Sequence, residues 1–299
     1  VTVAASDAVD VINGAFGRHP GFRALHAKGT LCRGRFTPTQ EAATLTRAVA
    51  FNSGPLDATF RFSNGSGNPE DPDWRPDPRG LAAKFYLPDG GRFDIVCVST
   101  PRFPVSTPEA FIELVGAQAA GPAAVFKLPL VLARHPEALR AIPAAAPSLR
   151  PPASYAVIPY FGIHAFEWTD AEGGSRFVRY RLDPEAAPEK IAPWAARRRG
   201  ADYLQEDLRS RFPVRFKLSV QIAIPGDPID DPSAAWPAAR RSVHVGSYEI
   251  TGLETERETG GDVLVFDPTR VIDGIELSGD PVLRFRHDAY SESVARRMR

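Results

Sequence analysis

Proline restricts this chain more than any other residue: 29 of its 299 positions carry one, roughly twice the usual frequency. Each fixes φ, removes a backbone donor and stops regular structure, so long uninterrupted helices cannot dominate. Seven prolines follow aspartate, at Asp71, Asp77, Asp183, Asp227, Asp231, Asp267 and Asp280, and Asp-Pro initiates turns and helices. Between these stops the chain alternates apolar and polar residues. Residues 58–63, 93–98, 177–182, 215–223 and 243–250 each read as a half-buried strand. Several such strands without long helices between them point to an antiparallel barrel or sandwich.

Helices fill the gaps. Thr37-Pro38 with Gln40, and Thr107-Pro108 with Glu109, each place a capping hydroxyl before a proline at the first helical position. Residues 122–145 are apolar, alanine-rich and broken by proline, which predicts a pair of short helices. Residues 188–211 predict one or two surface helices, with Arg197, Arg198 and Arg199 read as a solvated face in preference to an anion site. The last helix starts at Asp280-Pro281 and runs to the C-terminus.

Lysine plus arginine balances aspartate plus glutamate, 36 against 36, so there is no electrostatic footprint for nucleic acid or an acidic membrane surface. Cys32 and Cys97 are too few for a disulfide framework, form no CxxC, and read as half-buried strand thiols. The longest apolar stretch, 119–132, is interrupted by Pro122, Lys127 and Pro129 and is too short to span a bilayer. No signal peptide is visible. Phosphate-loop, zinc-helix and nucleophile-elbow motifs are absent, and Gly65-Ser66-Gly67 reads as a turn. Asn64-Gly65-Ser66 matches a glycosylation sequon, a three-residue pattern that chance often supplies.

Chemistry concentrates at the two ends. Arg286 and Tyr290 are spaced i,i+4 on the terminal helix, with Arg297 further along the same face and Leu283 and Val294 turning that face inward. Burial raises a phenol's pKa while a nearby cation lowers it. The pair is therefore either a structural, hydrogen-bonded tyrosine or a tyrosinate held ionised for a metal. Near the other end Arg23 and His26 stand three apart where a turn meets a strand, and the strand that follows carries Thr59, Arg61 and Ser63 on one face.

These residues belong to a longer series. His-Ala-Lys-Gly (26–29), Arg-Phe-Ser (61–63), Asp-Pro-Arg-Gly (77–80), Lys-Phe-Tyr (84–86), Thr-Pro (100–101), Phe-Asp-Pro-Thr-Arg (266–270), Gly-Ile-Glu-Leu-Ser-Gly-Asp (274–280) and Arg-x-x-x-Tyr (286–290) follow one another along the chain. Their order and approximate spacing, over roughly 14–297, resemble those of haem catalases. The resemblance implies an α+β fold: an antiparallel eight-stranded β-barrel, the catalase core, surrounded by helices, with a C-terminal haem-ligand helix, in one domain over 1–299. It implies haem b with ferric iron, Tyr290 as the proximal ligand, Arg286 as the cation that keeps its oxygen ionised, and His164 as support for that arginine. His26 becomes the distal acid/base, with Ser63 fixing its ring. Arg23, Arg61 and Arg297 become propionate partners, and Phe103 and Phe111 line the distal side.

Two departures mark the kind of member. Full catalases place an Asn beside the distal His, whereas the run 94–101 here has Val98 at that position and Ser99 next. Valine cannot orient a second peroxide, so weak catalase activity is expected, with peroxidase turnover of H₂O₂ or organic hydroperoxides by organic reductants favoured. The chain also ends soon after the ligand helix, without the C-terminal domain or NADPH site of full catalases, and resembles the small catalase-related peroxidases. Competing readings are a fatty-acid hydroperoxide isomerase or allene oxide synthase, and a non-catalytic haem or hydrophobic-ligand carrier. Retention of Arg286, Tyr290 and His26 together argues against the carrier. Expected partners are a peroxide, a small organic reductant and a second copy in a homodimer, with no nucleic acid and no membrane span. The expected compartment is the cytoplasm, or the periplasm if a leader was removed.

Overall fold

The computed structural model describes residues 3–255 and 264–298. Its strands are β1 (Gly29–Pro38), β2 (Leu56–Asn64), β3 (Arg79–Tyr86), β4 (Arg92–Val98), β5 (Tyr160–Phe161), β6 (Phe166–Thr169), β7 (Ser175–Pro184), β8 (Val214–Ile222), β9 (Ser242–Leu253) and β10 (Ile275–Leu277). All pair antiparallel in the order β10-β6-β7-β5-β4-β3-β2-β1-β9-β8, and β8 pairs again with β7. That last pairing closes eight strands into a barrel and leaves β6 and β10 as a flap beside one half of β7. The expected barrel is present, and the five alternating runs fall on β2, β4, β7, β8 and β9.

Alternation along these strands decides what lies inside. Phe36, Phe60, Phe62, Phe85, Phe93, Phe216 and Tyr248 point into the barrel and are fully buried. Their rings contact one another across it, as in Phe36–Phe85 at 4.9 Å and Phe60–Tyr248 at 5.0 Å between centroids. The interior is therefore a packed aromatic core, as small barrels require. Cys32 and Cys97 are free thiols within it, completely buried where half-burial was expected.

Filling the interior leaves the outer face to carry chemistry. The register sets Gly29, Ser63, Gly80 and Val98 in one row across β1–β4, Leu31, Arg61, Ala82 and Val96 in the next, and Arg33, Thr59, Lys84 and Asp94 in a third. Residues 264–270 strap over the second and third rows. Leu264 and Phe266 pack on Leu31, Ala82 and Val96. Asp94 Oδ2 accepts the Asp267 amide at 2.9 Å and Arg270 Nη1 at 2.8 Å, while Lys84 Nζ donates to both Asp94 oxygens.

Helices pack around the barrel: α1 (Ala5–Phe16), α2 (Gln40–Ala43), α3 (Val49–Asn52), α4 (Pro108–Gln118), α5 (Ala124–Arg134), α6 (Ala138–Ala145), α7 (Pro193–Arg198), α8 (Tyr203–Arg211) and α9 (Pro281–Arg297). Thr107 caps α4 through Oγ1, with Pro108 at its first position, as expected. The matching expectation at Thr37-Pro38 is wrong. Both residues end β1, paired with Ser247 and Gly246 of β9, and α2 begins after Thr39 without a side-chain cap. Ladder pairing overrides the capping signal there, because Pro38 stands at the strand's end, where its missing donor costs little. Residues 122–145 do form two short helices, but Pro129 and Pro143 lie inside α5 and α6 and do not mark the break. Asn64 is buried, bonded to Asp73 and Tyr155, so the sequon is structural. Among the described residues no single helix is long and apolar enough to cross a membrane.

The Lys84–Asp94 pair is 1% and 0% exposed, and Asp94 → Ala would leave an ammonium buried without its carboxylate. A loss of roughly 3–5 kcal/mol is expected from chemical denaturation. Lys84 → Met should cost less, because Arg270 still neutralises Asp94.

Candidate functional site

The site assembles on the first two rows of the outer face, beneath the segment before β1 and beside α9. His26 enters on the left-handed backbone, φ +55°, a conformation uncommon outside glycine that marks sites where surroundings hold the chain against its preference. Two amide bonds do the holding: the His26 amide donates to Gly65 O and the Ala27 amide to Ser66 O, both at 3.0 Å. The Gly65–Ser66 turn is in turn fixed by Asp77, which accepts the Ser66 amide at 2.9 Å. This loop, legible in the sequence only as a turn, is what carries the histidine.

The ring then meets Ser63. Nδ1 lies 3.0 Å from Ser63 Oγ, and Gly80, beside Ser63 in the same row, makes the approach possible. A Cβ at Gly80 would stand 2.7 Å from Ser63 Oγ and 3.0 Å from His26 Nδ1. Gly29 similarly makes way for Arg61, whose Nη2 would be 2.5 Å from its Cβ. Desolvation, reinforced by the charges of Arg61, Arg286 and Arg23, lowers the His26 pKa to about 3. The imidazole is neutral at ordinary pH and free to accept a proton.

On α9 a second constellation forms. Arg286 donates to Tyr290 Oη from Nε, at 3.1 Å, and from Nη2. Its Nη1 contacts His164 Nε2 at 3.0 Å, and His164 Nδ1 reaches Asp280 Oδ2 at 2.6 Å. Arginine only donates and a carboxylate only accepts, so His164 must be neutral with its proton on Nδ1. Burial, which lowers its pKa despite Asp280, agrees. Asp280 also caps α9, its Oδ1 accepting the Val282 and Leu283 amides at 2.8 and 3.2 Å. Its partnership with His164 was not anticipated; the only signal was the Asp-Pro helix start. The phenol oxygen thus faces two donors from one guanidinium.

The two constellations belong to one site. The Ala24 amide donates to Ser293 Oγ at 3.3 Å, tying the histidine segment to α9. Ala24, Leu25, Phe111 and Phe285 share one apolar cluster with α1 and α4. Phe103 and Phe111 are half-buried and pack together, centroids 4.9 Å apart. Arg61 Nη2 donates to Ala27 O at 3.2 Å, and Arg23 Nη2 to Leu264 O at 2.6 Å. Arg297 stands apart: half-buried, its pKa lowered by desolvation, it makes no hydrogen bond or ion pair with any described residue. In the same rows Ala82, Val96 and Val98 are small, half-buried residues, the first two in contact with Leu264 and Phe266.

A family model described as Catalase matches residues 18–299. A catalase-related peroxidase of Mycolicibacterium paratuberculosis is 49% identical over 290 residues, which cover 96% of this chain and 92% of that protein. Another, of Synechococcus elongatus, is 33% identical over 298 residues, covering 97% and 88%. The chain spans a smaller share of full catalases: that of the Onchocerca volvulus endobacterium is 29% identical, with 60% of its length covered. Catalase A from Saccharomyces cerevisiae superposes with a TM-score of 0.83 at 21% identity, over 94% of this chain and 62% of that one, a likeness of fold.

In a ¹⁵N-histidine NMR titration His26 is expected to stay neutral between about pH 8 and about pH 5. A midpoint near the ordinary value of 6.5 would contradict the desolvated, cation-ringed setting.

Proposed function

This chain belongs to the catalase family, and from that membership and the site's geometry we propose a haem b peroxidase that reduces H₂O₂ or organic hydroperoxides with organic reductants and disproportionates H₂O₂ only weakly. The carrying observation is the Tyr290 oxygen held by Arg286, which His164 and in turn Asp280 fix in place, in one site with a neutral imidazole. The residues present fit haem. Tyr290 offers an oxygen held by two guanidinium donors, and Arg297 is a desolvated cation with no described counter-charge, suited to a propionate. Arg23 and Arg61 would be the other propionate partners, and Phe103 with Phe111 the apolar wall on the His26 side.

When bound, haem supplies a redox-active iron that takes up the oxidising equivalents of the peroxide. The chain's own groups move the protons. With Nδ1–H donated to Ser63 Oγ, His26 Nε2 is the free acceptor; it takes the proton of the incoming peroxide and returns it to the outer oxygen, which leaves as water or alcohol. Ser63 holds the tautomer, and the left-handed backbone holds the ring. Arg286, fixed by His164 and Asp280, holds the Tyr290 oxygen in place with two donors.

Weak disproportionation follows from Val98. It lies in the row of Ser63 and Gly80, about 10 Å from Ser63 by strand spacing, and offers no donor to orient a second peroxide as reductant.

The reading is tested by spectrum and rate. Haem-reconstituted protein is expected to show a Soret band that Tyr290 → Phe shifts or abolishes; an unaffected band overturns tyrosine ligation. His26 → Ala should slow the reaction with peroxide by roughly 10²–10⁴-fold with the Soret band retained. Val98 → Asn should raise the ratio of O₂ released to reductant oxidised, measured with an oxygen electrode. An unchanged ratio would remove Val98 from the explanation.

A further inference from the structure

A cavity of about 670 Å³ lies away from this site, where the chain before β3, the segment after α6 and the start of α7 meet. That volume suits a small organic molecule. Its walls include Trp74, Pro76, Pro151 and Trp194, with Arg150 and Arg197 among them and no acidic residue in the lining. Arg197 is stacked over Trp74, its Cζ 4.5 Å from the ring centroid. The neighbouring Arg199 is committed to Ala153 O and Asp207, whereas neither Arg150 nor Arg197 makes a hydrogen bond or ion pair with any described residue.

Flat indole and pyrrolidine faces favour a planar ring, and guanidinium edges without carboxylates favour an anion. We infer that this groove binds a small aromatic carboxylate bearing a phenol, the reducing substrate of the peroxidase; the inference rests on the peroxidase reading above. The groove's position agrees with that role. Trp74 follows Asp73, whose Oδ1 accepts Asn64 Nδ2 at 2.8 Å, and Asn64 follows Ser63, the partner of His26. The segment that bears Trp74 is thus tied by a hydrogen bond to the strand end that bears Ser63. In the reaction each of two phenols loses one electron and one proton to become a phenoxyl radical. The peroxide ROOH takes up both electrons and both protons, its O–O bond breaks, and ROH and water leave.

The test uses haem-loaded protein and 4-hydroxycinnamate, with its methyl ester as the uncharged ring. Calorimetric titration is expected to show one-to-one binding of the carboxylate, about tenfold weaker in the Arg150 → Gln/Arg197 → Gln double variant. The ester should bind weakly and equally to both proteins. The KM for 4-hydroxycinnamate should rise by the same factor in the variant, with kcat and the rate of reaction with peroxide unchanged. Trp194 → Ala, at a side chain 66% exposed, should weaken carboxylate and ester alike. Equal carboxylate affinity in wild type and double variant, or an ester bound as tightly as the acid, overturns the groove. Charge-dependent binding by a wild-type protein that oxidises neither phenol upholds the groove and overturns the peroxidase reading.

Discussion

Closure of the barrel through the β7–β8 pairing determines where everything else can be. With eight strands the interior is filled by side chains, chiefly phenyl and phenol rings with aliphatic residues and the two thiols between them. Ionisable chemistry is thereby driven to the outer face, where alternation along each strand delivers Arg61 and Ser63 on the side opposite Phe60 and Phe62. A one-residue slip in β2 would exchange these sets and put a guanidinium among aromatic rings. The packed core thus sets the register of the functional face.

Electrostatics on that face run in one direction. Arg23, Arg61 and Arg286 all disfavour a proton on His26, and Arg286 at the same time donates twice to the Tyr290 oxygen. One arginine therefore acts on both constellations, helping to keep an imidazole neutral and holding a phenol oxygen in place. The buried Lys84–Asp94 pair, joined by the partly exposed Arg270, lies a row away and serves the strap over the sheet.

Much of this was legible in the sequence because the underlying physics is local. Half-buried antiparallel strands declare themselves by period, so β2, β4, β7, β8 and β9 were found from alternation, and Asp280-Pro281 and Thr107-Pro108 announced α9 and α4. Arg286 and Tyr290 share a face by helical spacing alone. His26 differs: its importance was visible only through the resemblance of its surrounding motifs, since its left-handed φ depends on amide bonds to a loop 39 and 40 positions away, at Gly65 and Ser66. His164 and Asp280 likewise meet across 116 positions. Thr37-Pro38 was misread because ladder pairing with β9 is non-local, and Pro129 and Pro143 because tertiary packing tolerates a proline within a helix that local propensity would end.

Asp280 divides its two oxygens between the first turn of α9 and His164, and this makes the helix a gauge rod with its zero mark at the carboxylate. At 1.5 Å per residue the backbone carries the Arg286 Cα about 9 Å and the Tyr290 Cα about 15 Å along the axis from that mark, and the two side chains then meet. The same carboxylate that starts the rod also aims the imidazole that receives the arginine, so both ends of the measurement share one origin. Adding or removing a single residue between Asp280 and Tyr290 would carry the phenol about 1.5 Å along the axis and roughly 100° around it, while His164 stayed where it was. Side chains on the outside of α9 are free to vary; the number of residues between cap and phenol is not.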